Sequence, residues 1–353
     1  MTQDGDTRDK VKHKDGVSDR VASKLTNMDF GLHFYHPFAK NDKLVIRGKV
    51  MEEHRAGGTM TDNLFLNPFS EGTEDITTNR MSADLNYNLP IGKRSELNFS
   101  TAYVHHKRNA TNDTFLGDYI DSHNGASPDV QMMRPYVAKE NTYTPSLTFT
   151  THLSNHTLLA GTQGYFTNLS NKIEFVPADE KVKKLGYTYQ WQNQDDAYVQ
   201  GIELGVKWNP FKDFKTALGW TFNQGKYKHV RGDWADTPYA EASKNISRFP
   251  AMTGDINLEY TPGTWTFTVN GTLQGKMYID YMKDDEVAEK IKETSTYMLF
   301  NARVAKQIGA WSIYAGGKNL FSYVQDEKHT DNAAFMYAPV YGATWYVGVG
   351  VKL

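Results

Sequence analysis

The sequence predicts an all-β fold, a transmembrane antiparallel up-and-down β-barrel of about 13–14 strands. Three observations predict it. Apolar and polar residues alternate with period two, many of the alternating segments reach about ten residues or more, and the links between them switch between short and long. Composition agrees: 21 Tyr, 18 Phe and 28 Gly in 353 residues favour strands and turns. With 39% apolar residues, no run approaches the ~18 needed for a spanning helix, so a helical membrane bundle is excluded. An aromatic content of 13% excludes a chain that stays unfolded. A net charge of −2 gives no overall basic field, so no nucleic-acid partner is expected. The absence of cysteine removes disulfide scaffolds, thiol catalysis and cysteine zinc sites.

Residues 1–26 read as a polar N-terminal segment, charged and without the apolar h-region of a secretory signal. Residues 27–353 read as the barrel portion. Met28, Phe30, Leu32 and Phe34 alternate with Asp29, Gly31 and His33, and Trp265, Phe267 and Val269 alternate with Thr266, Thr268 and Asn270. At the end of the chain Trp345, Val347, Val349, Val351 and Leu353 share one face. Successive strand side chains point to opposite faces, so each segment carries one oily and one polar side. The segments run over 28–36, 42–53, 80–89, 95–107, 142–152, 156–176, 185–208, 214–228, 252–260, 264–278, 295–306, 310–321 and 344–353.

The short links at 37–41, 90–94, 153–155, 209–213, 261–263 and 307–309 carry Pro, Gly, Asn or Asp. The long links cover 54–79, 108–141, 229–251, 279–294 and 322–343. Outer-membrane barrels place short turns toward the periplasm and long loops outside, which puts the C-terminus on the periplasmic side. Trp208, Trp220, Trp265, Trp311 and Trp345 lie on the apolar faces and are expected near strand ends, as membrane-interface aromatics.

A family resemblance then emerges. Gly317-Lys318-Asn319-Leu320-Phe321, a long loop, and Pro339-Val340-Tyr341-Gly342-Ala343-Thr344-Trp345 through Leu353 are similar to the C-terminus of TonB-dependent outer-membrane receptors. Gly164–Ile173 and Val199-Gln200-Gly201-Ile202-Glu203 also resemble barrel segments of that family. The resemblance implies uptake of a scarce ligand such as an iron–siderophore complex, haem or cobalamin, captured by outward loops. It also implies an N-terminal plug in the barrel, energy from the TonB system, and a place among the lipid of a Gram-negative outer membrane. No TonB-box-like segment or plug precedes residue 27, an Asn-Pro-x-Leu-x-Pro-Glu type segment is missing, and the strands fall short of the ~22 of plugged transporters. The chain therefore reads as a partial or internally deleted receptor.

No chemistry of an enzyme stands out. No phosphate loop, G-x-S-x-G elbow or H-E-x-x-H helix occurs, so no catalytic residue and no cofactor is expected. His105 and His106 are neighbours on a strand and point to opposite faces, so they do not share a metal. Asp62, Glu71, Glu74 and Asp75, and Asp284, Asp285, Glu286 and Glu289 with Lys290 and Lys292, form charged loops without calcium-loop spacing. A short helix is expected over 284–293. Arg108, Tyr119, Arg134, Tyr136, Arg231 and Trp234 are the ligand-binding candidates: arginine pairs with carboxylate or phosphate, and tyrosine or tryptophan covers a flat ligand. Two rival readings are a passive porin-like channel, whose uptake would survive loss of the proton gradient, and a non-transporting β adhesin or binding protein, which would not fractionate with the outer membrane.

Overall fold

A computed structural model describes residues 2–3, 22–58, 73–112, 136–154, 156–177, 180–183, 189–193, 195–281, 290–325 and 337–352. Its strands are β1 (Thr2–Gln3), β2 (Ala22–Tyr35), β3 (Lys43–Gly58), β4 (Thr73–Ile91), β5 (Ser95–Asn112), β6 (Tyr136–Leu153), β7 (His156–Ser170), β8 (Ile173–Pro177) and β9 (Tyr189–Asn193). They continue as β10 (Ala197–Trp208), β11 (Phe214–Tyr227), β12 (Met252–Tyr260), β13 (Trp265–Gln274), β14 (Tyr278–Tyr281), β15 (Lys290–Glu293), β16 (Tyr297–Ile308), β17 (Trp311–Lys318) and β18 (Thr344–Val351). Every predicted alternating segment holds a strand of one large antiparallel sheet. That sheet has 14 strands in the order β1 to β7, β10 to β13, then β16 to β18, and each neighbour pair is consecutive along it.

The short links close as tight turns with left-handed residues: Asn41 (φ 66°), Gly92 (φ 66°), Asp213 (φ 64°), Gly263 (φ 62°) and Gly309 (φ 56°). Asn and Asp tolerate that conformation and glycine adopts it freely, which explains these residue types at those positions. In the first turn the Asp42 carboxylate accepts from the amides of Phe38 (3.0 Å) and Ala39 (2.9 Å) and from the Tyr87 hydroxyl (2.8 Å).

Several expectations change. The long links 54–79 and 108–141 shrink at both ends, because β3 runs to Gly58, β4 starts at Thr73 with Glu74 and Asp75 inside it, β5 runs to Asn112 and β6 starts at Tyr136. The segments 156–176 and 185–208 each break in two: the large sheet ends at Ser170 and resumes at Ala197, and β8 and β9 form a separate hairpin between them. Asn171 in the left-handed region (φ 56°) turns the chain out of the ladder there. The helix expected over 284–293 is replaced at its C-terminal end by β15, which pairs with β14 from Tyr278↔Glu293 to Tyr281↔Lys290; residues 284–289 lie outside the described residues. Finally, β2 starts at Ala22, inside the segment read as a polar terminus, because its pairing with β3 continues to Ala22↔Ala56 beyond the apolar alternation.

The sheet is open. Apart from β1, which touches β2 only at Ser23 and Lys24, it consists of thirteen long strands. With an odd number of antiparallel strands, β2 and β18 run in the same direction. An antiparallel ladder between these two edges is therefore geometrically unavailable.

Candidate membrane interface and polar wall

Register fixes which residues share a face. One row across the sheet reads Leu32, Ile46, Leu85, Thr101, Pro145, Gly164 and Ile202, and the next reads Phe30, Gly48, Ala83, Tyr103, Tyr143 and Phe166. The same face carries Ile256 and Leu258, Val269, Phe300 and Val304, Ala315, and Val347 and Val349 in the later strands. These side chains are open to the surroundings: Met28 is 66% exposed, Phe30 63%, Leu204 46% and Val347 85%. The oily stripes are thus not folded against each other. They form one continuous exposed apolar face, far larger than the patches a soluble monomer leaves uncovered.

The opposite face is polar and cross-linked between strands. Ser100 and Ser146 hydroxyls meet at 2.6 Å, and those of Thr142 and Thr167 at 2.9 Å. Asn86 Nδ2 donates to Asn98 (3.2 Å), Asn270 Nδ2 to Asn257 (2.5 Å) and Lys215 Nζ to Glu259 (2.8 Å). The Arg303 guanidinium lies 4.5 Å from the Tyr314 ring centre. Tyr314 packs over Gly348 and Tyr346 over Gly316, which gives these strand glycines their reason: a Cβ there would collide with the ring.

Two aromatic rims bound the apolar face. At the short-turn end, Phe211 and Phe214 stack at 4.9 Å and both approach Tyr260 at 6.1 Å. Tyr260 stacks on Phe267 (6.3 Å), and Phe267 on Trp265 (5.9 Å). At the long-loop end, Tyr103 and Tyr143 lie 4.8 Å apart, followed by Phe166 (6.5 Å) and Tyr198 (6.4 Å). Tyr198 and Trp208 mark the two rims on β10 and stand about ten residues apart, roughly 34 Å along a strand at ~3.4 Å per residue. A tilt of ~45° reduces that to about 24 Å, the height of the apolar band of outer-membrane barrels (~25 Å).

Of the predicted interface aromatics, Trp208, Trp265 and Trp311 sit at the short-turn ends of β10, β13 and β17, and Trp345 is the second residue of β18, next to a long link. Trp220 instead lies mid-strand in β11, opposite Leu204 and Gly254. Alternation reports the face a residue occupies but not its depth. Of the rim residues missed by the sequence reading, Phe214 and Tyr260 carried a usable signal, an aromatic on the apolar parity at the end of a strand, whereas Tyr103 and Tyr143 lie mid-strand in β5 and β6 and gave none.

Among the ligand-binding candidates, Tyr119 and Arg134 lie outside the described residues, and Tyr136 opens β6, its side chain not described. Arg108 is on the polar face near the long-loop end of β5, opposite Thr78 and Ala138, and its buried Nε has no hydrogen-bond partner among the described residues. Arg231 is committed to the loop scaffold. Its Nη1 and Nη2 donate to the two Asp280 carboxylate oxygens (2.7 and 2.8 Å), and Nε donates to the Ser243 carbonyl (3.0 Å). Trp234 is 5% exposed, edge-on to Tyr239 and 5.8 Å from the Arg231 guanidinium. The Arg231–Asp280 fork thus fastens the 228–251 loop to β14. Both partners are largely shielded, so Arg231→Ala is expected to lower the local opening free energy of that loop by about 2–3 kcal/mol. Amide exchange should speed up across 228–251 while β11 and β12 stay protected.

A second latch joins three long-loop segments. The Asp196 carboxylate accepts from Lys228 Nζ (2.7 Å) and the Asn171 amide (3.0 Å), and Asp195 accepts from the amide (2.5 Å) and Nδ1 (2.9 Å) of His229. The Lys228 hydrogen bond, reinforced by the Asn171 amide, holds the Asp196 carboxyl below its ordinary value. At Asp195 burial pushes upward, and the hydrogen bonds from His229 outweigh it. Both folded values lie below the unfolded one, so the stabilisation is present above the ordinary carboxylate pKa of ~3.9 and is lost as pH falls through the folded values. Exchange at the Asn171 and His229 amides should stay slow down to about pH 4 and accelerate beyond the intrinsic rate change on further acidification.

Among the described residues no helix is long and apolar enough to cross a membrane, and no three His, Asp or Glu side chains converge on a metal position. No curated protein matches the sequence. Similar solved structures include the ferripyoverdine receptor of the outer membrane of Pseudomonas aeruginosa bound to ferripyoverdine, 12% identical, TM-score 0.47, covering 95% of this chain and 50% of that one. Another is the ferric-catecholate import receptor Fiu from E. coli K12, 12% identical, TM-score 0.49, covering 87% and 52%. A third is the ferric yersiniabactin uptake receptor FyuA from Yersinia pestis, 12% identical, TM-score 0.44, covering 94% and 54%. The chain spans about half the length of these receptors. The family described as TonB dependent receptor-like, β-barrel matches residues 154–320 of this chain.

Proposed function

We propose that this chain forms part of the transmembrane wall of a TonB-dependent receptor in the outer membrane of a Gram-negative bacterium, serving import of a scarce ligand of the iron–siderophore, haem or cobalamin type. The observation that carries the reading is the two-faced sheet. An exposed apolar band about 24 Å tall between aromatic rims suits lipid, and a hydrogen-bonded polar face suits a water-filled lumen. The family match over 154–320 supports the same reading. In it, the long loops face outside and gather the ligand, Arg108 offers a cation at the lumen mouth, and Arg231 and Trp234 hold the loop framework around it. Tyr119 and Arg134, which lie between β5 and β6 in sequence, and Tyr136, the first residue of β6, are further proposed contacts. Coupling to the TonB system runs through a plug supplied outside these strands.

The test is fractionation followed by transport. The chain should co-sediment with outer membranes and migrate differently on detergent gels before and after boiling. Uptake of a ferri-siderophore that depends on it should stop when the proton gradient is collapsed. Recovery in the soluble fraction contradicts the membrane reading; uptake that survives collapse of the gradient favours a passive channel.

A further inference from the structure

We infer that Lys107 and Lys139 form a binding site for the phosphates of a lipid headgroup at the long-loop edge of the apolar face; the inference rests on the membrane reading above. The rows of β2 to β7 change character abruptly at this edge. The row Phe30, Gly48, Ala83, Tyr103, Tyr143, Phe166 is apolar and aromatic. The next, Met28, Val50, Met81, His105, Asn141, Asn168, turns polar at β5, where His105 Nδ1 and the Tyr103 hydroxyl both lie 2.8 Å from Asn141 Oδ1. The row after that, Thr26, Glu52, Asn79, Lys107, Lys139, Ser170, has no apolar residue. Oil, then aromatic ring, then cation is the sequence of layers met on leaving a bilayer core, and it places the two ammonium groups at headgroup height.

The two lysines are Cα partners in the β5–β6 ladder, so their Cβ atoms lie about 4.5–5.5 Å apart. Like charges directly opposite each other destabilise a sheet unless an anion is shared between them. Among the described residues neither ammonium has an ion-pair partner. In their row the nearest carboxylates are each two strands away, roughly 9–10 Å in strand spacings: Glu52 beyond Asn79 from Lys107, and, beyond Ser170 from Lys139, Asp196, which is already taken by Lys228 (2.7 Å) and the Asn171 amide (3.0 Å). Glu140, the neighbour of Lys139 in sequence, points to the polar face and accepts from the Thr142 hydroxyl (2.9 Å). The pair faces the lipid side and not the lumen, so a phosphate carried by a lipid is the anion that reaches it.

The experiment uses the 353-residue chain in neutral detergent micelles, titrated with diphosphoryl lipid A and, separately, with phosphatidylcholine and inorganic pyrophosphate. The wild type should bind diphosphoryl lipid A far more tightly than phosphatidylcholine, and less tightly as salt is raised. Lys107→Gln with Lys139→Gln should weaken that binding about tenfold to thirtyfold, since each lysine near an anionic headgroup contributes about 1 kcal/mol. Lys107→Arg with Lys139→Arg should retain it, and Lys215→Gln on the polar face should leave it unchanged. Binding of the double glutamine variant within about twofold of wild type overturns the proposal, as does pyrophosphate binding as tight as the lipid. Boiling-sensitive gel migration of each variant controls for folding. Loss of outer-membrane fractionation by the wild type would instead defeat the membrane reading, so the two failures are told apart.

Discussion

Leu204→Arg is expected to cost about 2–4 kcal/mol of folding free energy in a phosphatidylcholine bilayer, whereas Thr272→Arg should change stability by no more than about 1 kcal/mol. Leu204 lies on the exposed apolar face of β10, opposite Trp220 and Thr162 and four residues above the Trp208 rim, which puts it near mid-band. An arginine there must carry its charge through hydrocarbon or draw a water defect toward itself. Thr272 is on the polar face of β13, exposed and opposite Asp255, where a guanidinium meets water and a carboxylate. Urea titration of vesicle-inserted protein measures both. Equal costs at the two sites, or a larger cost at Thr272, would mean that the apolar face does not meet lipid.

Asn319→Ala is expected to cost about 2–4 kcal/mol, a large effect for a residue outside any strand. Asn319 follows β17 in the left-handed region (φ 50°) and is 8% exposed. Its Nδ2 donates to the carbonyls of Tyr323 (2.7 Å) and Tyr341 (3.2 Å), its Oδ1 accepts from the Tyr323 amide (2.9 Å), and its own amide donates to Asn301 Oδ1 (3.0 Å). One side chain therefore closes the loop after β17 onto the approach to β18. Alanine leaves those buried groups unpaired and adds about 1 kcal/mol of left-handed strain; glycine removes the strain alone. The expected order of stability is Asn, then Gly, then Ala, read from urea midpoints. An alanine variant as stable as the glycine variant would show that backbone conformation plays no part.

This asparagine also shows what the sequence could and could not deliver. It sits in the Gly317–Phe321 stretch that carried the family resemblance, yet its role depends on partners four and twenty-two residues away that no local pattern announces. The strands of the large sheet were legible because period two persists wherever one face is oily and the other wet, as in Trp265, Phe267 and Val269 against Thr266, Thr268 and Asn270. The turns were legible for a similar reason, since Asn41, Gly92, Asp213, Gly263 and Gly309 stand where positive φ is required. The β8–β9 and β14–β15 hairpins were not. They are strands of only four or five residues outside the large sheet, too short to set a period of their own, so 156–176 and 185–208 read as unbroken strands and 284–293 as a helix. The commitment of Arg231 to Asp280 was invisible because it joins loops 49 residues apart.

The most direct test of the two-faced wall uses the absence of native cysteine. Single cysteines placed in turn from Thr266 to Leu273 along β13, each carrying a nitroxide label in vesicles, report access of oxygen and of a water-soluble nickel chelate. Labels at positions 267, 269, 271 and 273 should be reached by oxygen and shielded from nickel, and those at 266, 268, 270 and 272 the reverse. Accessibility without a two-residue period, or with both sets shielded from both reagents, would contradict a sheet that stands between lipid and water.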